Sequence, residues 1–234
     1  MSYREDRIIC TFYTKIGACR HGEKCSRKHV KPSSSDTILL PNLYQNPKLN
    51  KNDGEELNPK QVQEYFDHFY KDIFLKFALF GEVYSMVVCE NDNNHLNGNV
   101  YVKFANEDSA YNAVMLLNQE WFGGRPVHCE LSPVESFHDA NCRAYESSTC
   151  NRGDHCNFMH IHKPTPQLKS SLFKSQEKST LTKQLQLLRG ELTGNLENEN
   201  GQQDAVGEQI SKPAETTSTE TVEKLFASSI PSHI

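Results

Sequence analysis

Six of the eight cysteines and two of the ten histidines fall into one frame that occurs twice. Cys10, Cys19, Cys25 and His29 read C-x8-C-x5-C-x3-H. Cys142, Cys150, Cys156 and His160 read C-x7-C-x5-C-x3-H. Three thiolates and an imidazole are the ligand set of a closed tetrahedral zinc site. Cations crowd the first frame, in "CRHGEKCSRKHVKP" (19–32). Cations beside a thiol also lower its pKa and make it a nucleophile, so the stretch admits two chemistries. The repeat favours the metal. A thiolate committed to zinc does not attack a substrate, and four protein ligands leave no position for a reacting water. The frames predict two zinc ions per chain. His21 and His155 stand near the cysteines but break the shared spacing. Cys89 and Cys129 lie in apolar stretches, where a thiol packs as a small hydrophobe.

Each frame spans about twenty residues, too few for a core of its own, so zinc must supply most of its folding free energy. The fingers are placed at 7–32 and 140–163. Of the 234 residues only 36% are hydrophobic, low for one compact fold, so part of the chain is expected to be linker or tail. No run of about 18 apolar residues marks a membrane span. The start, "MSYREDRIIC", lacks the apolar centre of a secretory signal. An intracellular protein is expected, where cysteines serve metal or redox chemistry rather than disulfides.

The net charge of −5 is unevenly spread. Arg7 to Pro32 carries seven Lys/Arg against one acid. Lys48 to Glu90 carries five against eight, and Glu191 to the end two against eight. A basic N-terminus, an acidic middle and an acidic tail imply different partners.

Between the frames, residues 36–134 read as one domain. "TILLPNL" (37–43) is a short apolar strand. The helix that follows has Asn58 as cap, Pro59 at the first helical position and Gln61 completing a capping box. Its inward face is Val62, Phe66, Phe69, Ile73 and Phe77, and Gly81 is expected to stop it. Strands follow at 82–90 and 99–105 around the loop "NDNNHLNG". A second helix has Ala110, Ala113, Val114 and Leu117 inward, and a last strand covers 125–131. The order βαββαβ is the ferredoxin-like plan, and its two signature strands resemble those of an RNA-recognition motif. The aromatic positions depart from that motif. Across Asn97–Phe104, Asn99 replaces one expected aromatic, and on the first strand Leu39 replaces another, which leaves Tyr101 as the residue expected to face outward for stacking. The fold class is therefore α+β: a ferredoxin-like, RRM-type domain between two Cys3His fingers. A possible helix at 165–190 and an acidic tail at 191–234, expected to be disordered, complete the chain.

Finger, RRM-like domain and finger, with "CTFYTKIGACRHGEKCSRKHVKP", "GNVYVKF", "HCELSPV" and "CNFMHIHKP", resemble the small subunit of the spliceosomal U2 auxiliary factor over roughly residues 5 to 168. The resemblance implies a nuclear pre-mRNA splicing factor that recognises the AG of the 3′ splice site. It implies a heterodimer with a large subunit that binds the pyrimidine tract. The RRM-like domain would hold a tryptophan-bearing peptide of that subunit, and the fingers would carry the RNA contact. Two features depart from the family pattern. Glu120 precedes Trp121-Phe122 where an Arg-x-Phe signature is usual, and 170–234 carries no Arg/Ser repeat.

The cations then have a role. Fixed cations neutralise phosphates, and exposed aromatics stack on splayed bases. Finger 1 offers Phe12, Lys15, Arg20, Ser26, Arg27 and Lys28 to RNA. Finger 2 offers Arg143, Arg152, Asn157 and Phe158. Each also has a plain reading, a solvated charge or a packing aromatic. For the partner, Trp121 stands in a polar, Gly-rich loop with Phe122 available to pack inward. Glu64, Asp67 and Asp72 make the first helix acidic, which suits a basic peptide. Leu181, Leu185 and Leu188 offer either a further partner face or a solvated helix. An alternative function is a Cys3His RNA-binding protein in mRNA decay or export, without a large-subunit partner. An enzyme is disfavoured: the sequence shows no phosphate-cradling glycine loop and no nucleophile–base pair, and the Gly123-Gly124 pair reads as a turn.

Overall fold

The computed structural model describes residues 8–47 and 58–200, with side chains up to 190. Finger 1 contributes helix α1 (Thr11–Ile16). The central domain contributes β1 (Thr37–Leu40), α2 (Pro59–Phe77), β2 (Val83–Cys89), β3 (Val100–Phe104) and α3 (Glu107–Leu117). A small hairpin of β4 (Trp121–Phe122) and β5 (Arg125–Pro126) follows, then β6 (Glu130–Leu131). The connection to finger 2 carries α4 (Phe137–Ala140), and finger 2 contains α5 (Arg143–Glu146). Strand β7 (Ile161–His162) leads into α6 (Pro166–Asn200). The described residues up to Leu185 belong to one compact unit. A second begins at Gln186, of which the described part is helical backbone to Asn200. The tail expected to be disordered lies, from 201 on, outside the described residues. No described helix is long and apolar enough to cross a membrane.

The sheet runs β6-β1-β3-β2-β7, with every neighbouring pair antiparallel. Alternation along each strand divides its side chains between two cores. Ile38 and Leu40, Met86 and Val88, and Val100, Val102 and Phe104 face the helices. There they meet Phe66, Phe74 and Phe77 of α2 and Ala110 and Ala113 of α3. Leu39, Tyr101, Val87 and Cys89 face the other way. They are covered by Ile16 of finger 1, Val134 and Ala140 of the connection, and Met159 of finger 2. Leu39, Tyr101 and Val87 stand in register across β1, β3 and β2. The domain is thus a three-layer sandwich of helices, sheet and fingers.

This corrects the expectation for Tyr101. Its ring is fully buried beneath the fingers, with no face open to solvent for stacking. Finger 1 comes so close that a Cβ on Gly17 would lie 3.0 Å from Tyr101 Cε1 and 2.8 Å from Ser132 Oγ. Gly17 also closes α1 with φ +74°, so both its conformation and its space require glycine. Asn99 is buried too. Its Oδ1 accepts from the Asn42 N–H at 3.0 Å, and its Nδ2 donates to the His95 carbonyl at 3.0 Å. In place of an aromatic, it ties the start of β3 to two loops.

Helix α2 starts as the sequence predicts, with both arms of the Asn58–Gln61 capping box formed. It ends at Phe77, before Gly81. Gly81 serves the approach of α3 instead: a Cβ there would fall 2.0 Å from Ser109 Oγ. The expected last strand is divided. Arg125–Pro126 pairs with β4, and Glu130–Leu131 pairs with β1. Between them Asn118 acts as a surrogate strand, accepting from the Cys129 N–H at 2.9 Å and donating to its carbonyl at 2.8 Å. Cys89 and Cys129 are buried packing thiols.

The chain after finger 2 also belongs to the domain, beyond the 36–134 that the sequence pattern marks. Strand β7 adds to the β2 edge through Val88–His162 and Cys89–Ile161. The first turns of α6 bury Leu172 in the helix-side core, with Phe173 4.9 Å from Phe74. Gln176 bonds both the N–H and the carbonyl of Val83, at 2.9 and 3.0 Å. Further along α6, Leu181, Leu185 and Leu188 are exposed.

Candidate metal centres and nucleic-acid interface

The two fingers repeat one local structure. Cys10 and Cys142 sit at the N-caps of α1 and α5. A 3-10 turn opening on glycine separates the second and third ligands, Gly22–Lys24 in one finger and Gly153–His155 in the other. Both glycines have positive φ, +49° and +51°. The first cysteine's N–H donates to the carbonyl of the residue before the ligand histidine: Cys10 to Lys28, and Cys142 to Met159, each at 2.9 Å. A tyrosine three residues after the first cysteine stacks on that histidine. Tyr13 lies 4.4 Å from His29 and Tyr145 3.9 Å from His160, both at 7°. The repeated C-x2-Y is the sequence signal of this pair, and ligand spacing alone does not reveal it. These tyrosines fix the imidazole planes from behind.

In each finger the four ligand atoms lie within 4.8 Å of one another. A tetrahedral zinc with Zn–S of about 2.3 Å requires sulfurs about 3.8 Å apart. The observed separations are 3.8 Å for Cys10–Cys19, 3.9 Å for Cys19–Cys25 and 3.7 Å for Cys142–Cys156. Cys150 Sγ lies 3.5 Å from His160 Nε2. His29 Nε2 is buried with no hydrogen-bond partner, as an atom aimed at a metal would be. The residues fit two structural zinc ions.

The surroundings suit ligation. Burial holds the His160 imidazole below its ordinary pKa, in the neutral form that binds metal. The backbone N–H of Arg152 lowers the Cys150 thiol. Burial pushes Cys19 and Cys156 up to about 11, so only a bound cation would strip their protons at neutral pH.

The sheet brings the fingers together. An Arg20 guanidinium nitrogen donates to the His155 carbonyl at 3.1 Å. Phe12 and Phe158 meet edge to face, 6.4 Å apart, and Arg152 lies over the Phe158 ring at 5.9 Å. Phe12 is 39% exposed and Phe158 half-buried. Lys15, Ser26, Arg27, Lys28, Arg143 and Arg152 are exposed. Asn157 is half-buried, and its Oδ1 has no hydrogen-bond partner among the described residues.

The loop from 90 to 99 belongs to the same region, which sequence reasoning missed. Asn91 donates to the Phe158 carbonyl at 2.9 Å and accepts from the His160 N–H at 2.9 Å. Asn93 donates to the Cys156 carbonyl at 2.7 Å. Both asparagines are buried, so the loop is pinned to the backbone of finger 2.

The residues suggested for a protein partner lie on the other side of the sheet. Trp121 is 71% exposed on the β4–β5 hairpin. Phe122 turns inward, 5.8 Å from Phe69 of α2. Glu64 and Asp72 are exposed on α2. Asp67 is half-buried and engaged within the chain, accepting from Gln63 Nε2 and from the Thr165 N–H at 3.0 Å each. Glu120, the acid that stands where Arg is usual, pairs with Lys76 at 2.8 Å.

The comparisons agree with this architecture. Residues 5–31 match the family model "Zinc finger C-x8-C-x5-C-x3-H type (and similar)", and residues 70–128 match "RNA recognition motif". The chain is 53% identical over 174 residues to the splicing factor U2AF 23 kDa subunit of Schizosaccharomyces pombe, covering 74% of this chain and 80% of that protein. It is 46% identical to the U2af 38 kDa subunit of Drosophila melanogaster, over 75% of this chain and 69% of the other. It is 47% identical to the U2AF 26 kDa subunit of Bos taurus, over 72% and 79%. With both metal centres, the covered sheet and this identity along most of the chain, the protein belongs to the family of U2AF small subunits, splicing factors that combine Cys3His fingers with an RRM-type domain.

Proposed function

We propose that the protein binds single-stranded pre-mRNA at the AG of the 3′ splice site, in the nucleus, through both fingers acting as one surface. One observation carries the reading: the sheet face that an RRM would offer to RNA is filled, and the same packing joins the fingers through Arg20–His155 and Phe12–Phe158. The cations around this junction suit phosphates, and the two rings suit unstacked bases. Phe12, Lys15, Arg20, Ser26, Arg27 and Lys28 from finger 1 act with Arg143, Arg152, Asn157 and Phe158 from finger 2.

The opposite side binds the large subunit of the factor as a heterodimer. Trp121 is the anchor, Phe122 supports the hairpin against α2, and Glu64 supplies acidic complement. Asp67 contributes by holding the start of α6 rather than as a free acid. Charge reversal at Arg27 or Lys28 tests the RNA surface. Each should weaken binding to an AG-containing oligonucleotide and lower the slope of log affinity against log salt by about one. Unchanged affinity and slope in both variants would place the RNA elsewhere.

A further inference from the structure

An open cleft of about 430 Å³ lies where finger 1, finger 2 and the 90–99 loop meet. Its lining includes Cys19 and Arg20 from finger 1, Asp154 from finger 2, and Asp92, Asn94 and His95 from the loop. We propose that this cleft takes one extruded nucleobase and that the Asp92 carboxylate reads the base's exocyclic amino group. The proposal rests on the RNA-binding reading above and makes the RRM-type domain, through this loop, the third wall of the site.

The lining chemistry separates a base from a phosphate. Two carboxylates, Asp92 and Asp154, stand in the cleft beside one guanidinium. A phosphate between two carboxylates is repelled, and the exposed cations outside the cleft serve phosphates better. A base edge presents donors and acceptors side by side. A carboxylate accepts from an amino group, and Arg donates to a ring nitrogen or carbonyl oxygen. Arg20 has one nitrogen on the His155 carbonyl at 3.1 Å, which leaves other N–H groups of its fork for a ligand.

The loop is built to hold Asp92 in place. Its residues alternate: Asn91 and Asn93 are buried and bonded to finger 2, whereas Asp92 and Asn94 between and after them are exposed. Asn93 Oδ1 also accepts from the Leu96 N–H at 3.0 Å, closing the loop on itself. Asp154 is engaged with the neighbouring His155 ring. For Asp92, no hydrogen bond or ion pair is formed among the described residues. A carboxylate held on a pinned loop loses little freedom on binding, which is what base discrimination requires.

The test is a double-mutant cycle on the zinc-loaded full chain. Fluorescence anisotropy measures an AG-containing single-stranded RNA, the same RNA with purine riboside for adenosine, and the same RNA with inosine for guanosine. Each analogue lacks one exocyclic amino group. The wild type should bind one of the two analogues about tenfold more weakly than the parent RNA. In Asp92→Ala that difference should shrink to less than about twofold, whatever happens to overall affinity, and Asp154→Ala should keep it. Zinc content and melting temperature of the variants must match the wild type, which the exposure of Asp92 favours. Equal losses for the analogues in wild type and Asp92→Ala, or no loss in either, overturn the cleft assignment while RNA binding stands. Failure of the wild type to bind the parent RNA overturns the RNA-binding reading itself.

Discussion

Truncating Tyr101 should destabilise the assembly and leave base contacts intact. The side chain is fully buried by three segments: Ile16 of finger 1, Val134 and Ala140 of the connection, and Met159 of finger 2 share its cluster. Its ring also lies 6.3 Å from Phe137. Truncating a buried aromatic to alanine costs about 3–5 kcal/mol. For a domain of this size that corresponds to a fall of about 6–20 °C in melting temperature. Tyr101→Phe should be nearly silent, because the hydroxyl lies 3.5 Å from Asn99 Nδ2, a long and weak contact. Thermal melts of the zinc-loaded protein, with RNA titration well below the lower melting point, separate stability from binding. Tyr101→Ala should melt early yet bind RNA within about twofold in the cold, where the folded form still dominates, if the ring only supports the fingers. A variant that melts like the wild type but has lost RNA affinity would show that Tyr101 is a stacking residue and that the fingers do not cap the sheet.

Metal analysis should return two zinc ions per chain, and Cys25→Ser or Cys156→Ser should each remove one, with local loss of one finger. Acid should strip the metal. His160 has a lowered folded-state pKa, so its contribution is fully present above the ordinary imidazole value of about 6.5 and is lost as pH falls through the lower folded value. Proton competition at the cysteines acts in the same direction, so zinc release to a chelator should quicken steadily from pH 7.5 to pH 5. A rate independent of pH would contradict thiolate and imidazole ligation. Trp121→Ala should weaken binding of the large-subunit peptide by about 2 kcal/mol or more and leave the melting temperature of the lone chain nearly unchanged, since the indole is exposed. Unchanged peptide affinity by calorimetry would move the interface off the hairpin.

The metal centres were legible because zinc imposes its ligand count on a short stretch of chain, where spacing is the geometry. The α2 cap was legible for a similar reason: Asn58, Pro59 and Gln61 act within one turn. Tyr101 reads as outward-facing because the familiar sheet leaves one face open. The sequence held a warning, since "ILL" and "MVVC" are continuous apolar runs and not alternating ones, the mark of strands buried on both faces. Strand β7 has two residues and no periodicity to detect. The docking of α6 rests on Leu168, Leu172, Phe173 and Gln176 in its first turns, inside a stretch otherwise rich in polar residues. The cleft was illegible because "NDNNHLNG" has the composition of any turn, and only the fold places its asparagines against finger 2.

The bond between Arg20 and the His155 carbonyl spans 135 residues of sequence. A ribosome adding roughly 5–20 residues per second needs roughly 7–27 seconds to make that interval. Finger 1 has all four of its ligands between Cys10 and His29, so it can take up zinc and close soon after it emerges. Its seat under Ile16 and Gly17 does not yet exist, because Tyr101 and Ser132 have still to be made. Nor does its companion finger. The newborn protein therefore passes through an interval with a finished, basic finger on an unfinished sheet. Zinc taken up in that interval would keep the finger's cysteines from oxidation and from wrong partners, and on the function proposed above the nascent chain would carry a basic, RNA-attracting head before the surface that gives it selectivity has formed.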